Sequence, residues 1–210
     1  MTQPNLRLYV DAQFTSPYAL STFVTLKEKG LPFECLPLNL DALEQQAPAY
    51  TALSLTRRVP TLVHGAFALS ESSAITEYLE DIFPTIPVYP HAAQERAKAR
   101  QVQAWLRSDL LPIRQERSTL VVFYGQRAPQ LSPQAHAAAQ KLFAAAQLLL
   151  ADGRQHLFEH WSIADVDLAL MLNRLILNGD AVPDKLVAYA QHQWQQASVQ
   201  EWINLKRPSL

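Results

Sequence analysis

This chain changes pattern at a proline cluster. Pro84, Pro87 and Pro90 fall within seven residues, and the strand signals before them vanish after them. Up to about Phe83, short apolar runs alternate with helical stretches. Leu6-Arg7-Leu8-Tyr9-Val10 alternates like a strand. Ser16 to Lys29 reads as a helix with Leu20, Phe23 and Val24 on one face; Ser16 is a good N-cap, Pro17 suits the first helical position, and Gly30 with Pro32 stops it. Phe33 to Leu38 is a second strand, and Asp41 to Leu53 a weaker helix interrupted by Pro48. Thr61-Leu62-Val63 and Phe67-Ala68-Leu69 flank His64-Gly65-Ala66, a hairpin signal. A last helix carries Ile75, Tyr78, Leu79 and Ile82 on one face and ends at Pro84. The order βαβαββα implies a small mixed sheet with a parallel crossover pair.

The reading divides the chain into a first domain at 1–83, a linker at 84–90 and an all-α domain at 91–210. In the last, Gln94 to Leu111 is helical until Pro112 breaks it. Gln134 to Ala151 is Ala- and Leu-rich, and Leu186 to Leu205 supplies one or two helices more. Ile163 to Leu177 carries Leu168, Met171, Leu172, Leu175 and Ile176, the wide stripe of a buried helix. Before it, Ser162-x-x-Asp165 is a capping box, with Trp161 and Val166 at the staple positions, a folding signal rather than a chemical one.

Bulk properties exclude several classes. The 210 residues carry 18 basic and 19 acidic side chains, mixed along the chain, which argues against a nucleic-acid or anionic-membrane surface. No run approaches the roughly 20 apolar residues of a membrane span, and no basic stretch leads into an apolar signal core, so a soluble cytoplasmic protein is expected. The single cysteine, Cys35, has no partner for a disulfide or a CxxC reaction and sits in an expected buried strand. His156-Leu157-Phe158-Glu159-His160 matches a zinc pattern that needs a helix, yet it lies between Gly153 and Ser162 in an expected loop, so no metal is expected. Five glycines leave no phosphate loop.

Three stretches of the first domain can carry chemistry. Phe14-Thr15-Ser16-Pro17 lies where a strand meets a helix N-terminus. Arg57-Arg58-Val59-Pro60-Thr61-Leu62 puts a proline just before a strand, and Glu71-Ser72-Ser73 opens another helix. Helix N-termini offer spare N–H donors to anions. A hydroxyl there can hold a thiolate, and lowering a thiol pKa by about two units corresponds to about 2.7 kcal/mol.

Ser16-Pro17, Val59-Pro60-Thr61-Leu62 and Glu71-Ser72-Ser73-Ala74-Ile75-Thr76-Glu77-Tyr78-Leu79, with Trp161 to Leu168 in the second half, resemble the motifs of cytosolic glutathione transferases in order and spacing. Within that family the chain resembles the bacterial serine-type enzymes of the enterobacterial YfcF kind. The resemblance implies a thioredoxin-like α/β domain followed by an all-α domain. It gives Ser16 the catalytic role, donating to the glutathione sulfur, with Thr15 as the near competitor and Phe14 beside them. Pro60 is expected to be cis, and Val59 to pair its backbone with the cysteinyl part of glutathione like an added strand. Glu71 accepts from the γ-glutamyl ammonium, Ser72 holds the γ-glutamyl carboxylate, and Arg58 or Arg57 meets the glycyl carboxylate. Where the family often has Asn-Pro-x-Gly, this chain reads Ser54-Leu55-Thr56-Arg57, so the turn must be built differently.

The implied activity is attack of the thiolate on a small hydrophobic electrophile or an organic peroxide. Glutathione serves as co-substrate, without a tightly bound cofactor, in a homodimer concerned with detoxification or oxidative stress. An electrophile pocket is expected from Trp105 to Leu111 and Leu120 to Tyr124, in a cleft between the domains. A glutathione-dependent disulfide reductase and a non-catalytic interaction module of the same fold are the alternatives.

Overall fold

The computed structural model describes residues 5–210. Its strands are β1 (Leu6–Asp11), β2 (Glu34–Leu38), β3 (Thr61–His64) and β4 (Phe67–Ser70). Its helices are α1 (Pro17–Glu28), α2 (Pro48–Thr51), α3 (Ser72–Ile82), α4 (Ala93–Ser108), α5 (Leu111–Glu116), α6 (Thr119–Tyr124), α7 (Pro133–Leu149), α8 (Ile163–Ile176), α9 (Asp184–Trp194) and α10 (Ala197–Ile203). Two compact units emerge, one running to Val88 and joined by residues 197–210, the other comprising residues 89–196.

In the first unit the strands lie in the order β2-β1-β3-β4. β1 runs parallel to β2 through the α1 crossover and antiparallel to β3, and β3 pairs antiparallel with β4. Alternation along β1 buries Leu6, Leu8 and Val10 while Arg7 and Tyr9 stay half-buried. Leu20, Val24 and Leu26 of α1 join Ile75 and Leu79 of α3 in the core.

The stretch expected as a helix over 41–53 is instead a single 3₁₀ turn at Glu44–Gln46 followed by the four-residue α2. Pro48 lacks an N–H and opens α2 rather than sitting inside a helix. Leu43 adopts a left-handed φ of 59°, and the Glu44 carboxylate accepts the Asn39 N–H at 2.7 Å.

The proline-rich segment is tied down at its first half. Lys29 and Glu80 form an ion pair at 2.6 Å with side chains only 1% and 8% exposed. Lys29 Nζ also donates to the Phe83 and Ile86 carbonyls, and Glu80 accepts the Val88 N–H. Whereas the sequence reading carries the helical domain from 91 to 210, its last fourteen residues pack with the sheet unit. Trp202 is fully buried there, its ring edge-on to Phe14 at 5.8 Å and to Phe23 at 5.2 Å.

In the second unit α8 is buried nearly all round, with α4, α6 and α9 packed on it. Its capping box forms. The Asp165 carboxylate accepts the Ser162 N–H and hydroxyl, the Leu157 N–H at 2.7 Å and the Tyr189 hydroxyl at 2.8 Å. Burial pushes the Asp165 carboxyl above the usual range against these bonds, and it pushes the Tyr189 phenol well above its ordinary value. Pro112 ends the preceding helix by opening α5, and Leu120 to Tyr124, named only as a pocket stretch, falls within α6, which Ser118 caps. Arg117, buried, grips Asp180 bidentately at 2.6 and 2.7 Å. No helix among the described residues is long and apolar enough to cross a membrane.

Candidate active site

Strand register brings the three candidate stretches to one end of the sheet. Tyr9 of β1 stands opposite Thr61, the first residue of β3, and Thr61 stands opposite Ser70, the last of β4. The segments leaving β1, entering β3 and leaving β4 therefore emerge side by side, with strands about 4.8 Å apart. These segments carry Ser16, Val59-Pro60 and Glu71-Ser72.

Asp11, at the end of β1 and only 3% exposed, organises the first segment. Its Oδ2 accepts the Thr15 N–H at 2.6 Å and the Thr15 hydroxyl at 2.9 Å, and its Oδ1 accepts the Ser16 N–H at 3.0 Å. Phe14 bends the chain around this carboxylate with a left-handed φ of 50°, its ring against Trp202 and its carbonyl accepting from Arg207. Ser16 caps α1, its Oγ accepting the Ala19 N–H at 3.2 Å. That bond uses a lone pair of Ser16 and leaves its proton available, whereas the Thr15 proton is committed to Asp11.

The second segment is held by a hydroxyl cluster. Tyr50, Ser54 and Thr61, all buried, direct their hydroxyls at the Arg58 carbonyl, at 2.7, 3.4 and 3.1 Å. Their oxygens also lie within hydrogen-bond range of one another, Tyr50 to Thr61 at 2.9 Å and Thr61 to Ser54 at 3.0 Å, so three hydroxyl protons are shared among these contacts. Burial raises the Tyr50 phenol above its usual pKa. This cluster, with Arg57 at φ 54° and its N–H on the Ser54 carbonyl, builds the turn over Ser54-Leu55-Thr56-Arg57. The Val59–Pro60 bond is cis, and Val59 makes no backbone hydrogen bond to another described residue. Both Arg57 and Arg58 are exposed.

At the third segment Glu71 is exposed, with φ 75°, and its carbonyl accepts the first α3 hydrogen bond, from Ile75. A non-glycine residue at such a φ costs about 1–3 kcal/mol, a feature that clusters at functional sites. Ser72 follows, buried at the N-terminus of α3.

Other candidates separate from this group. Cys35, expected to be buried, is half-buried on the edge strand β2 opposite Leu8; burial first, then the Asp11 charge, pushes its thiol up to about 11. Residues 155–160 form bends rather than a helix, with Leu157 and Phe158 buried, so His156 and His160 share no helical face. Among the described residues no group of three His, Cys, Asp or Glu is placed to hold a metal. Sequence reasoning missed Asp11 and the Tyr50-Ser54-Thr61 cluster. An acid four and five residues ahead of two hydroxyl residues was the only signal for the first.

A two-unit chain with a β2-β1-β3-β4 sheet, a cis-proline entering β3 and a capped buried helix in its second unit has the architecture of the glutathione transferases. Family models agree: that of the glutathione S-transferase N-terminal domain matches residues 15–82, and that of the C-terminal domain matches residues 92–207. The chain belongs to the glutathione S-transferase family. A glutathione transferase homologue from Burkholderia strain BGR1, solved with bound glutathione, is 44% identical with a TM-score of 0.78, covering 96% of this chain and 97% of that one. Maleylacetoacetate isomerase of Pseudomonas aeruginosa is 37% identical over 111 residues, 51% of this chain and 51% of that protein. Maleylpyruvate isomerase of a Ralstonia species is 36% identical over 94 residues, 45% of this chain and 44% of that protein. The chain thus spans about half the length of the curated relatives it matches.

Proposed function

We propose that the protein binds glutathione along the sheet end described above and holds its sulfur as a thiolate through the Ser16 hydroxyl, making it a serine-type glutathione transferase. One observation carries this reading: among the described residues the Ser16 hydroxyl donates to no acceptor at the helix N-terminus, while the neighbouring Thr15 hydroxyl donates to Asp11. The backbone of Val59, unpaired among the described residues, suits an added strand, the cysteinyl part of glutathione. Glu71 is the acceptor for the γ-glutamyl ammonium, and Ser72 with the α3 N-terminus receives its carboxylate. Arg58, or its neighbour Arg57, is the partner for the glycyl carboxylate, both side chains being exposed beside the cis-proline.

With the thiol proton released to solvent, the sulfur lone pair attacks an electrophilic carbon, forming a C–S bond as the leaving group departs with its electrons. Attack on a hydroperoxide oxygen instead forms an S–O bond as the O–O bond breaks; the departing alkoxide takes a proton from solvent, and a second glutathione displaces water from the sulfenic acid to give the disulfide. Relatives named for maleylacetoacetate and maleylpyruvate isomerisation favour a second reading. In it the thiolate adds to a cis double bond conjugated to a carbonyl, the new single bond rotates, and elimination returns glutathione and the trans isomer. Both readings share the thiolate and differ in whether glutathione is consumed.

Calorimetry with glutathione, followed by turnover of an activated aryl halide, an organic hydroperoxide and a cis-dicarboxylate alkene, tests the proposal. Saturable binding with turnover of at least one probe is expected. Glutathione consumed in step with product selects transfer or peroxidase activity; product without consumption selects isomerisation. Absence of binding at millimolar glutathione contradicts the proposal and returns the chain to the interaction-module reading.

A further inference from the structure

Resting on that reading of Ser16, we propose that Asp11 is a positioning residue that determines which hydroxyl of the Thr15-Ser16 pair serves the glutathione sulfur. Adjacent hydroxyl residues at a helix N-terminus are chemically near-equivalent donors. The asymmetry between them comes from one buried carboxylate. Asp11 Oδ2 takes both the N–H and the hydroxyl proton of Thr15, at 2.6 and 2.9 Å, which turns that side chain back toward β1. Oδ1 takes only the backbone N–H of Ser16, at 3.0 Å, and leaves its hydroxyl unclaimed. Oδ2 is the acceptor in both bonds, so the Thr15 hydroxyl proton points at Asp11. With 3% of its surface exposed, Asp11 offers these bonds little competition from water.

The backbone supports the same division. Phe14, at φ 50°, carries the chain around the carboxylate, and that conformation is braced by the Trp202 ring and by Arg207 on the Phe14 carbonyl at 3.3 Å. The arrangement keeps Thr15 sequestered and presents Ser16 alone. Removing the Oδ2 acceptor releases a second donor one residue from the first.

The test measures thiolate formation by bound glutathione, read as ultraviolet absorbance against pH, for Ser16→Ala in the native and Asp11→Asn backgrounds. In the native background Ser16→Ala is expected to lower the neutral-pH thiolate fraction about tenfold or more. In the Asp11→Asn background the same substitution is expected to cost about threefold or less, since contacting residues couple. Adding Thr15→Val to that double variant is expected to remove the remaining thiolate. An equal Ser16→Ala penalty in both backgrounds overturns the role of Asp11. No penalty in the native background overturns the Ser16 reading itself, a separate failure.

Binding of S-methylglutathione, which has no thiol to ionise, shows whether each variant keeps its site. If Asp11→Asn loses that binding, the native protein crystallised with glutathione decides. Thr15 Oγ1 still on Asp11 with Ser16 Oγ on the sulfur supports the proposal, and Thr15 Oγ1 turned to the sulfur overturns it.

Discussion

Single polar side chains divide the work of the sheet end between backbone and ligand. Glu71 sits where glycine is the comfortable residue, so Glu71→Gly relieves backbone strain while deleting a carboxylate assigned to glutathione. Stability is expected to stay within about 1 kcal/mol of the native protein in urea melts, while calorimetric glutathione affinity falls about tenfold. Unchanged affinity would leave the φ of 75° as a turn feature only. Cys35 gives the opposite case, a nucleophile held inert. With its thiol pushed up to about 11, alkylation of the native protein is expected to be slow at neutral pH and to rise about tenfold per pH unit toward that value. A plateau near the ordinary thiol pKa would contradict the environment described.

At the scale of elements, α8 and its cap decide the second unit. Asp165→Ala would leave the Leu157 N–H, the Ser162 groups and the Tyr189 hydroxyl without their acceptor, and is expected to cost about 3–5 kcal/mol in denaturant unfolding. The pH dependence has a definite sign. The folded Asp165 carboxyl is raised above its unfolded value, so its contribution is greatest below the unfolded pKa and declines as pH rises through the folded one. Compared with Asp165→Asn, which does not titrate, the native protein should lose stability with rising pH across that window. A flat difference would contradict the shift.

This capping box was legible because its partners lie three residues apart, and the strands and hairpin because alternation and Gly65 are local signals. What escaped was non-local. The hydroxyls of Tyr50, Ser54 and Thr61 meet only after the turn closes, and Asp11 gains its partners only when Phe14 folds back. Pro48 and Pro112 were read as interruptions, yet each opens a short helix of its own, since a ring without an N–H fits a first turn.

For the whole molecule, the sheet unit is closed by contacts far apart in sequence. Trp202 finds Phe14 and Phe23, and Lys29 pairs with Glu80 beneath the chain leaving α3. Breaking that ion pair from one side with Lys29→Met strands a buried carboxylate and is expected to cost about 3–5 kcal/mol, seen as a lower midpoint in thermal unfolding. A loss under about 1 kcal/mol would mean that the pair is solvated in solution. The homodimer implied by the family resemblance is checked by light scattering on the eluting protein; twice the chain mass is expected, and a single-chain mass contradicts it. If the Ser16 hydroxyl holds the glutathione sulfur as a thiolate, the pKa of the bound thiol, titrated by ultraviolet absorbance, must differ between the native protein and Ser16→Ala. The expected bound pKa lies well below that of the free thiol and rises by about one unit or more when Ser16 is removed. Equal values in the two proteins would contradict it.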